Sequence, residues 1–143
     1  MAERATRAEI VIIEDDQGIA RFLKDLLELE GYRAAMYADG AALDLVAATE
    51  PRLIFLDLML PPPGGAEICR RLRADPRTRA TPIVIMTAAA PLTIEQQLHG
   101  CDYDGLLRKP FDIDEVLGIA SRSIRARVAP SLLNDAALGE CDA

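Results

Sequence analysis

One aspartate stands inside an otherwise apolar run of the chain. Residues 53–60 read LIFLDLML, and Asp57 is the single charged residue among them. Because burying an ionised carboxylate without partners is costly, other groups must balance its charge. Candidates follow other apolar runs along the chain: Glu14, Asp15 and Asp16 after the first, Thr87 after the fourth, and Lys109 after the fifth. The residue types predict a site where several carboxylates lie beside a lysine and bind a metal cation.

The segments that position these residues alternate regularly. The apolar runs Ile10–Ile13 and Leu53–Leu56 predict strands, and the second has no polar face, as expected for a central parallel strand. Helical spacing follows the first run, where apolar residues recur at Ile19, Phe22, Leu23, Leu26 and Leu27. Strand–helix alternation predicts parallel strands joined by right-handed crossovers. We therefore expect an α/β fold: a single doubly wound five-stranded parallel sheet with helices on both faces, flavodoxin-like, (βα)5.

Weaker signals complete this outline. Further strands are predicted at residues 32–37, 83–86 and 106–107, and further helices at 41–48, 67–74 and 93–100 and after residue 112. Thr93-Ile-Glu-Gln96 has the form of a capping box, so we place a helix start there. Residues 1–129 are predicted to form one domain. Residues 130–143 are predicted to be a short C-terminal tail, mobile or a frayed helix.

The carboxyl ends of parallel strands meet at one edge of a sheet, and functional groups gather there. Carboxylates such as those of Glu14, Asp15, Asp16 and Asp57 suit Mg²⁺, which accepts a few carboxylates and keeps several waters. A carboxylate oxygen of Asp57 is then a competent nucleophile toward a phosphoryl group. Positioning and electrostatics dominate such chemistry, and the Lys109 ammonium and Thr87 hydroxyl supply both.

Composition narrows the class of protein. The 143 residues include 23 acidic and 16 basic side chains, for a net charge of −7, which argues against direct nucleic-acid binding. The three cysteines form no disulfide or zinc spacing, and no apolar run is long enough to insert into a membrane. We expect a cytoplasmic protein.

The complete set of residues resembles the receiver domain of two-component response regulators. The resemblance lies in EDD after the first strand, the lone aspartate of LIFLDLMLP, the threonine of IVIMTA and the KPF triplet, and it covers roughly residues 8–128. It implies a stand-alone signalling switch that a sensor histidine kinase or a phosphotransfer protein phosphorylates. It also implies a downstream effector protein as the recipient of the signal. We expect no enzyme activity beyond the domain's own phosphoryl transfer and autodephosphorylation.

The same resemblance implies a role for each matching residue. Asp57 is implied as the phosphorylated residue, with Thr87 and Lys109 as the pair that senses the phosphoryl group. Magnesium ligands are implied at Glu14, Asp15, Asp57 and the main-chain oxygen of Met59. A cis peptide is implied between Lys109 and Pro110. Asp16 matches no ligand position and is expected to cap the first helix.

Two departures concern the signalling surface. Receiver domains usually carry an aromatic residue three positions before the lysine, where this chain has Leu106. Either Tyr103 supplies an aromatic from a loop that looks longer than usual, or the usual coupling to Thr87 is absent. The triple proline at 61–63 is expected to stiffen the loop beside Asp57. These departures support an alternative function, a pseudo-receiver scaffold that binds partners independently of phosphorylation.

Two other functional hypotheses do not fit the sequence. A phosphatase of the haloacid dehalogenase type needs a second aspartate two residues after its nucleophile, and Met59 cannot transfer a proton. A flavodoxin needs a phosphate loop after the first strand, whereas EDDQG is acidic.

A basic patch follows the third strand at Arg70, Arg71, Arg73, Arg77 and Arg79. We interpret it as a solvated helix face, with a partner contact as the alternative.

Overall fold

The computed structural model describes residues 7–125 of the chain. Its strands are β1 (Ile10–Ile13), β2 (Ala34–Tyr37), β3 (Leu53–Asp57), β4 (Ile83–Thr87) and β5 (Gly105–Arg108). Its α-helices are α1 (Gln17–Leu29), α2 (Leu43–Thr49), α3 (Gly65–Ala74), α4 (Pro91–Leu98) and α5 (Ile113–Arg125). The predicted alternation of strands and helices is confirmed. The boundary predicted at residue 129 and the tail 130–143 lie outside the described residues.

All five strands are parallel and form one sheet in the order β2-β1-β3-β4-β5. Ile13 pairs with Leu56, and Asp57 on the next position of β3 pairs with Met86. β1, β3 and β4 therefore end at nearly the same level. This register brings the residues that follow each strand to one edge, and the predicted fold class is confirmed.

The core consists of two apolar layers, one on each face of the sheet. Alternate residues of the buried strands point into opposite layers, as a pleated strand requires. One layer packs against α1 and α5 through Leu23, Leu27 and Val116. The other packs against α2, α3 and α4 through residues that include Ile68 and Leu98. β1, β3 and β4 are buried along their whole length, which explains their continuous apolar sequence.

Some helix boundaries differ from the sequence prediction. α4 begins at Pro91 rather than at Thr93, so the predicted capping box lies inside the helix. A proline at the first helical position lacks only an amide that would have no helical partner, which suits Pro91 as a start. A 3₁₀ turn, Gly40–Ala42, precedes α2, and the Asp39 side chain accepts a hydrogen bond from the Ala41 amide at 2.8 Å.

Across residues 7–125, none of the helices is long and apolar enough to cross a membrane.

Candidate functional site

Asp57 is the last residue of β3 and is 4 % exposed. Its Oδ1 atom accepts a hydrogen bond from the Met59 amide at 3.1 Å, because the chain turns immediately after the strand. The turn then brings Gly65, the first residue of α3, against the strand end. A Cβ on Gly65 would lie 2.3 Å from the Asp57 carbonyl oxygen, so only glycine fits this approach. The PPPGG segment therefore fixes the backbone around Asp57.

Lys109 reaches the same place from the end of β5. Its ammonium nitrogen lies 2.6 Å from Glu14 Oε1 and 3.5 Å from Asp57 Oδ1. The Lys109 amide also donates to the Thr87 carbonyl at 2.9 Å, which ties the backbone of the lysine to the end of β4. The peptide bond from Lys109 to Pro110 is cis, as the resemblance implied. The lysine thus bridges two carboxylates that come from different strands.

Glu14 is fully buried and only partly neutralised. Its Oε2 atom is buried and has no hydrogen-bond partner within residues 7–125. Burial, and then the neighbouring Asp57 carboxylate, raise the pKa of Glu14 to about 8, while Lys109 acts in the opposite direction. Burial also disfavours the charge of Lys109, but the hydrogen bond with Glu14 and the charge of Asp57 outweigh it and raise the pKa of the lysine. The single positive charge of Lys109 therefore does not neutralise the carboxylates of the site.

Asp15 completes an acidic cluster. One carboxylate oxygen each from Glu14, Asp15 and Asp57 lie within 4.8 Å of one another. Asp15 is exposed, so the cluster opens to solvent on one side. A buried carboxylate oxygen without a partner and three converging carboxylates fit a hard divalent cation. The side chains predicted as metal ligands are thus brought together, whereas the Met59 main-chain oxygen stays a prediction.

Thr87 is fully buried at the end of β4. Its Oγ1 atom accepts a hydrogen bond from the Ala89 amide at 2.9 Å. Ala89 is also held by β5, because its carbonyl oxygen accepts a hydrogen bond from Arg108 Nη1 at 3.1 Å. The loop after β4 is therefore fastened both to Thr87 and to the end of β5, a connection that the sequence did not reveal.

Asp16 does not belong to the cluster. Its side chain accepts a hydrogen bond from the Ile19 amide at 3.1 Å and caps α1, as predicted. Two adjacent aspartates thus have different roles, one at the candidate metal site and one at a helix terminus.

Leu106 lies on β5, and Tyr103 lies in the segment that precedes it. Leu106 is half-buried, pairs with Ile85 and packs against the core layer below α3 and α4. Tyr103 is 36 % exposed and belongs to neither core layer. Both alternatives, an aromatic role for Tyr103 and the absence of the usual coupling to Thr87, stay predictions.

The predicted basic patch is not a uniform surface. Arg70 and Arg71 both pair with Glu67 on the same helix, and Arg77 pairs with Asp75. These ion pairs leave the patch largely neutralised.

Arg73 is instead half-buried at the end of α3, where it donates to the carbonyls of Asp102 at 2.7 Å and Thr81 at 2.6 Å, and to Asp104 Oδ2 at 2.6 Å. The interpretation of Arg73 as a solvated residue was wrong. Its partners lie 8 residues away at Thr81 and 29 and 31 residues away at Asp102 and Asp104, whereas its local pattern is that of an exposed helix face.

This fold and site define a doubly wound α/β domain with an acidic, lysine-bridged centre at the carboxyl edge of its sheet. The family model described as "Response regulator receiver domain" matches residues 10–121. The chain belongs to that family, and its sequence resemblance to receiver domains is confirmed.

Curated relatives are named as regulators. The chain is 37 % identical over 129 residues to the response regulator ArlR of Staphylococcus saprophyticus, covering 88 % of this chain and 56 % of the relative. It is 40 % identical over 111 residues to the DNA-binding dual master transcriptional regulator RpaA of Synechocystis, covering 76 % of this chain and 45 % of the relative. The chain therefore spans about half the length of these relatives.

Solved structures agree with this family. The receiver domain of a sensor histidine kinase from Pseudomonas aeruginosa, with a magnesium ion coordinated in its active-site cleft, matches with a TM-score of 0.76 and 29 % identity, covering 82 % of this chain and 97 % of that one. A sensor protein from Polaromonas matches with a TM-score of 0.72 and 34 % identity, covering 85 % and 99 %.

Proposed function

We propose that this chain is a phosphorylation-controlled signalling switch that accepts a phosphoryl group on Asp57. The observation that carries the proposal is the buried Asp57 carboxylate beside the Lys109 ammonium and a partly unsatisfied Glu14. A structural carboxylate would be fully paired, whereas this site holds more negative charge than the protein itself neutralises. The excess suits a centre that recruits a cation before it reacts.

Magnesium fits the donor set and would be held by the side chains of Glu14, Asp15 and Asp57 and by the Met59 carbonyl. When bound, it supplies positive charge that offsets the charge of an incoming phosphoryl group. Its charge would also offset the Asp57 carboxylate, which adds to the effect of burial in raising the pKa of Glu14.

The chain's own residues then perform the transfer. Oδ1 of Asp57 is engaged by the Met59 amide, which orients the carboxylate and leaves the second oxygen to attack phosphorus. The bond from phosphorus to the donor breaks as the new bond forms, and the donor leaves as neutral imidazole or as a carboxylate. Lys109 stabilises charge on the transferred oxygens.

Thr87 links this event to the rest of the molecule. Its hydroxyl accepts from the Ala89 amide and keeps its own proton available for donation. Turning the hydroxyl toward a phosphoryl oxygen would break the hydrogen bond from the Ala89 amide and leave the loop held by Arg108 alone. The switch we propose therefore acts on the loop after β4.

The phosphoryl donor we propose is a sensor histidine kinase or a phosphotransfer protein, and the recipient of the signal is an effector protein. Membership of the receiver family supports both partners. We further propose a cytoplasmic location, no activity beyond self-phosphorylation and autodephosphorylation, and no direct contact of this domain with nucleic acid. The net charge of −7 supports the last point.

The experiment uses acetyl phosphate and Mg²⁺ with the intact chain. We expect a mass gain of one phosphoryl group that disappears in Asp57→Asn and when Mg²⁺ is chelated. Asp16→Asn is the matched control and should keep the gain, because Asp16 caps α1 and does not join the cluster. The absence of a gain with acetyl phosphate and with a phosphorylated histidine donor would refute the proposal.

A second candidate is a scaffold that binds its partner without phosphorylation. The aliphatic Leu106 supports it, because this residue stands at the position where receiver domains usually carry the aromatic residue that couples to Thr87. This candidate predicts equal partner capture by the wild type and Asp57→Asn, with or without beryllofluoride. The proposed switch predicts capture that changes with beryllofluoride in the wild type alone.

A further inference from the structure

Two cysteines from distant parts of the chain lie beside α3, and each contacts the backbone next to the other. Cys69 lies on α3, and its Sγ is 3.7 Å from the carbonyl oxygen of Asp102. Cys101 lies between α4 and β5, and its Sγ is 3.7 Å from the carbonyl oxygen of Ala66. Ala66 is one helical turn before Cys69, and Asp102 follows Cys101 directly. Each sulfur thus contacts the backbone that carries the other.

The backbone around this pair is held in place. The Arg73 side chain donates from Nε to the Asp102 carbonyl at 2.7 Å and from Nη2 to Asp104 at 2.6 Å. Arg73 lies one helical turn after Cys69 on the same helix. The guanidinium therefore fixes the segment that contains Cys101 against the helix that contains Cys69. A pre-positioned pair loses little further freedom when a bond joins it.

The two thiols differ in access. Cys69 is fully buried, whereas Cys101 is half-buried and in contact with the same apolar core layer. Burial, together with the neighbouring Cys101, raises the pKa of Cys69 to about 11. Cys69 is therefore a poor first target for an oxidant, and the more accessible Cys101 is the thiol that an oxidant reaches.

We propose that Cys69 and Cys101 form a redox-sensitive pair that closes to a disulfide when the protein meets a hydroperoxide. The Cys101 sulfur attacks the peroxide, the O–O bond breaks, and Cys101 becomes a sulfenic acid while one water leaves. The Cys69 sulfur then attacks the Cys101 sulfur, and the sulfenic oxygen leaves as a second water with the Cys69 proton. Two thiols are oxidised by two electrons, and one hydrogen peroxide is reduced to two waters.

The bond would tie α3 to the segment that enters β5. It would add a covalent link to the contact that Arg73 makes without covalent chemistry. Neither cysteine belongs to the acidic cluster of Glu14, Asp15 and Asp57. The proposed oxidation goes beyond the proposed phosphoryl transfer, so either proposal stands or falls without the other.

The test treats the folded, reduced chain with hydrogen peroxide, blocks free thiols with N-ethylmaleimide during unfolding, and digests with trypsin. Cleavage after arginine separates Cys69, in the peptide 53–70, from Cys101, in the peptide 80–108, and from Cys141 near the C-terminus. We expect peptides 53–70 and 80–108 to appear as one linked species. It should weigh less than the two reduced peptides together by two hydrogen atoms, and a phosphine reductant should separate it.

Variants identify the order of events and exclude accidental pairing. Cys141→Ser and Asp57→Asn should keep the linked species in full. Cys69→Ser should lose it completely and leave Cys101 as a sulfenic acid that dimedone labels. A folded wild type in which Cys101 is oxidised to the sulfinic acid without any linked species would overturn the proposal. So would a link that forms faster in urea than in the folded chain.

Discussion

Two polar networks in this domain contain buried charge, and they differ in how completely that charge is satisfied. Arg73 donates from Nε to a carbonyl, from Nη1 to the carbonyls of Arg79 at 3.1 Å and Thr81 at 2.6 Å, and from Nη2 to Asp104. Asp104 in turn accepts the first amide of β4, from Ile83, at 2.8 Å. Every member of this network has partners within the described part of the chain.

The acidic site at the opposite edge of the sheet is incomplete. Glu14 Oε2 is buried without a partner in the described residues, and the Glu14 pKa is raised to about 8 mainly by burial. Leaving a buried polar atom unpaired costs free energy that a purely structural network avoids. The comparison indicates that the Arg73 network stabilises the fold, whereas the acidic site leaves a buried oxygen unpaired, which the proposed binding of a cation would satisfy.

The largest effect is expected when the satisfied network is broken. Arg73→Met should lower the free energy of unfolding by roughly 2–4 kcal/mol, because several carbonyls and Asp104 lose their donor together. Urea unfolding with Mg²⁺ present measures the change. Arg71→Met is the matched control on the same helix. Its ion pair with Glu67 is exposed, so we expect a loss much smaller than that of Arg73→Met.

Equal losses from Arg73→Met and Arg71→Met would remove the distinction between a network that stabilises the fold and an ordinary surface pair.

The next effect concerns pH and the incomplete site. Without Mg²⁺, the folded chain keeps the Glu14 proton up to about pH 8, whereas an unfolded glutamate loses it near the ordinary pKa of 4.5. Folding therefore binds a proton between these values. The stabilisation of the protonated form is complete below pH 4.5 and is lost as the pH rises toward 8 and beyond. We therefore expect the free energy of unfolding to fall continuously as the pH rises between these limits.

Urea unfolding in EDTA from pH 5.5 to 8.5 measures this slope, and Glu14→Gln provides the reference because it keeps the shape of the side chain without the charge. The difference between wild type and Glu14→Gln cancels other titrating groups. Saturating Mg²⁺ should flatten the wild-type slope, since cation binding favours ionised Glu14. A wild-type curve parallel to that of Glu14→Gln in EDTA would show that folding does not raise the pKa of Glu14.

The smallest effect separates two adjacent aspartates. Asp16→Ala should lower the free energy of unfolding by about 1 kcal/mol through loss of the α1 cap and leave Mg²⁺ affinity nearly unchanged. Asp15→Asn should do the reverse, with nearly unchanged stability in EDTA and weaker Mg²⁺ binding by roughly tenfold or more. Unfolding curves and calorimetric Mg²⁺ titration measure both quantities.

If Asp16→Ala weakens Mg²⁺ binding as much as Asp15→Asn does, the acidic cluster extends further than Glu14, Asp15 and Asp57.

Much of the fold was predictable because its signals are local. β1 and β3 are continuous apolar runs, and Asp16 and Gly31 mark the two ends of α1. The prediction failed at α4, where a capping-box pattern at Thr93 competed with a proline start at Pro91. Both signals are legitimate helix starts, and the sequence alone gives no reason to choose between them.

The candidate site was likewise predictable only in part. Parallel strands bring their carboxyl ends to one edge, so the approach of Glu14, Asp57, Thr87 and Lys109 followed from chain order. The ammonium of Lys109 lies closer to Glu14 than to Asp57, at 2.6 Å against 3.5 Å, and no spacing rule gives that preference. The hydrogen bond from Arg108 to Ala89 could not be predicted either, because it joins residues 19 positions apart in the chain.

By itself, the sequence determined the elements, the parallel sheet and the set of residues at its carboxyl edge, since these depend on local periodicity and on the order of the strands. The tertiary structure alone decided which charges are satisfied. Arg73 has the pattern of a solvated helix residue and became the centre of a complete network, while Glu14 was buried with an unpaired oxygen. Burial and hydrogen bonding depend on partners far along the chain, and only the packed structure specifies those partners.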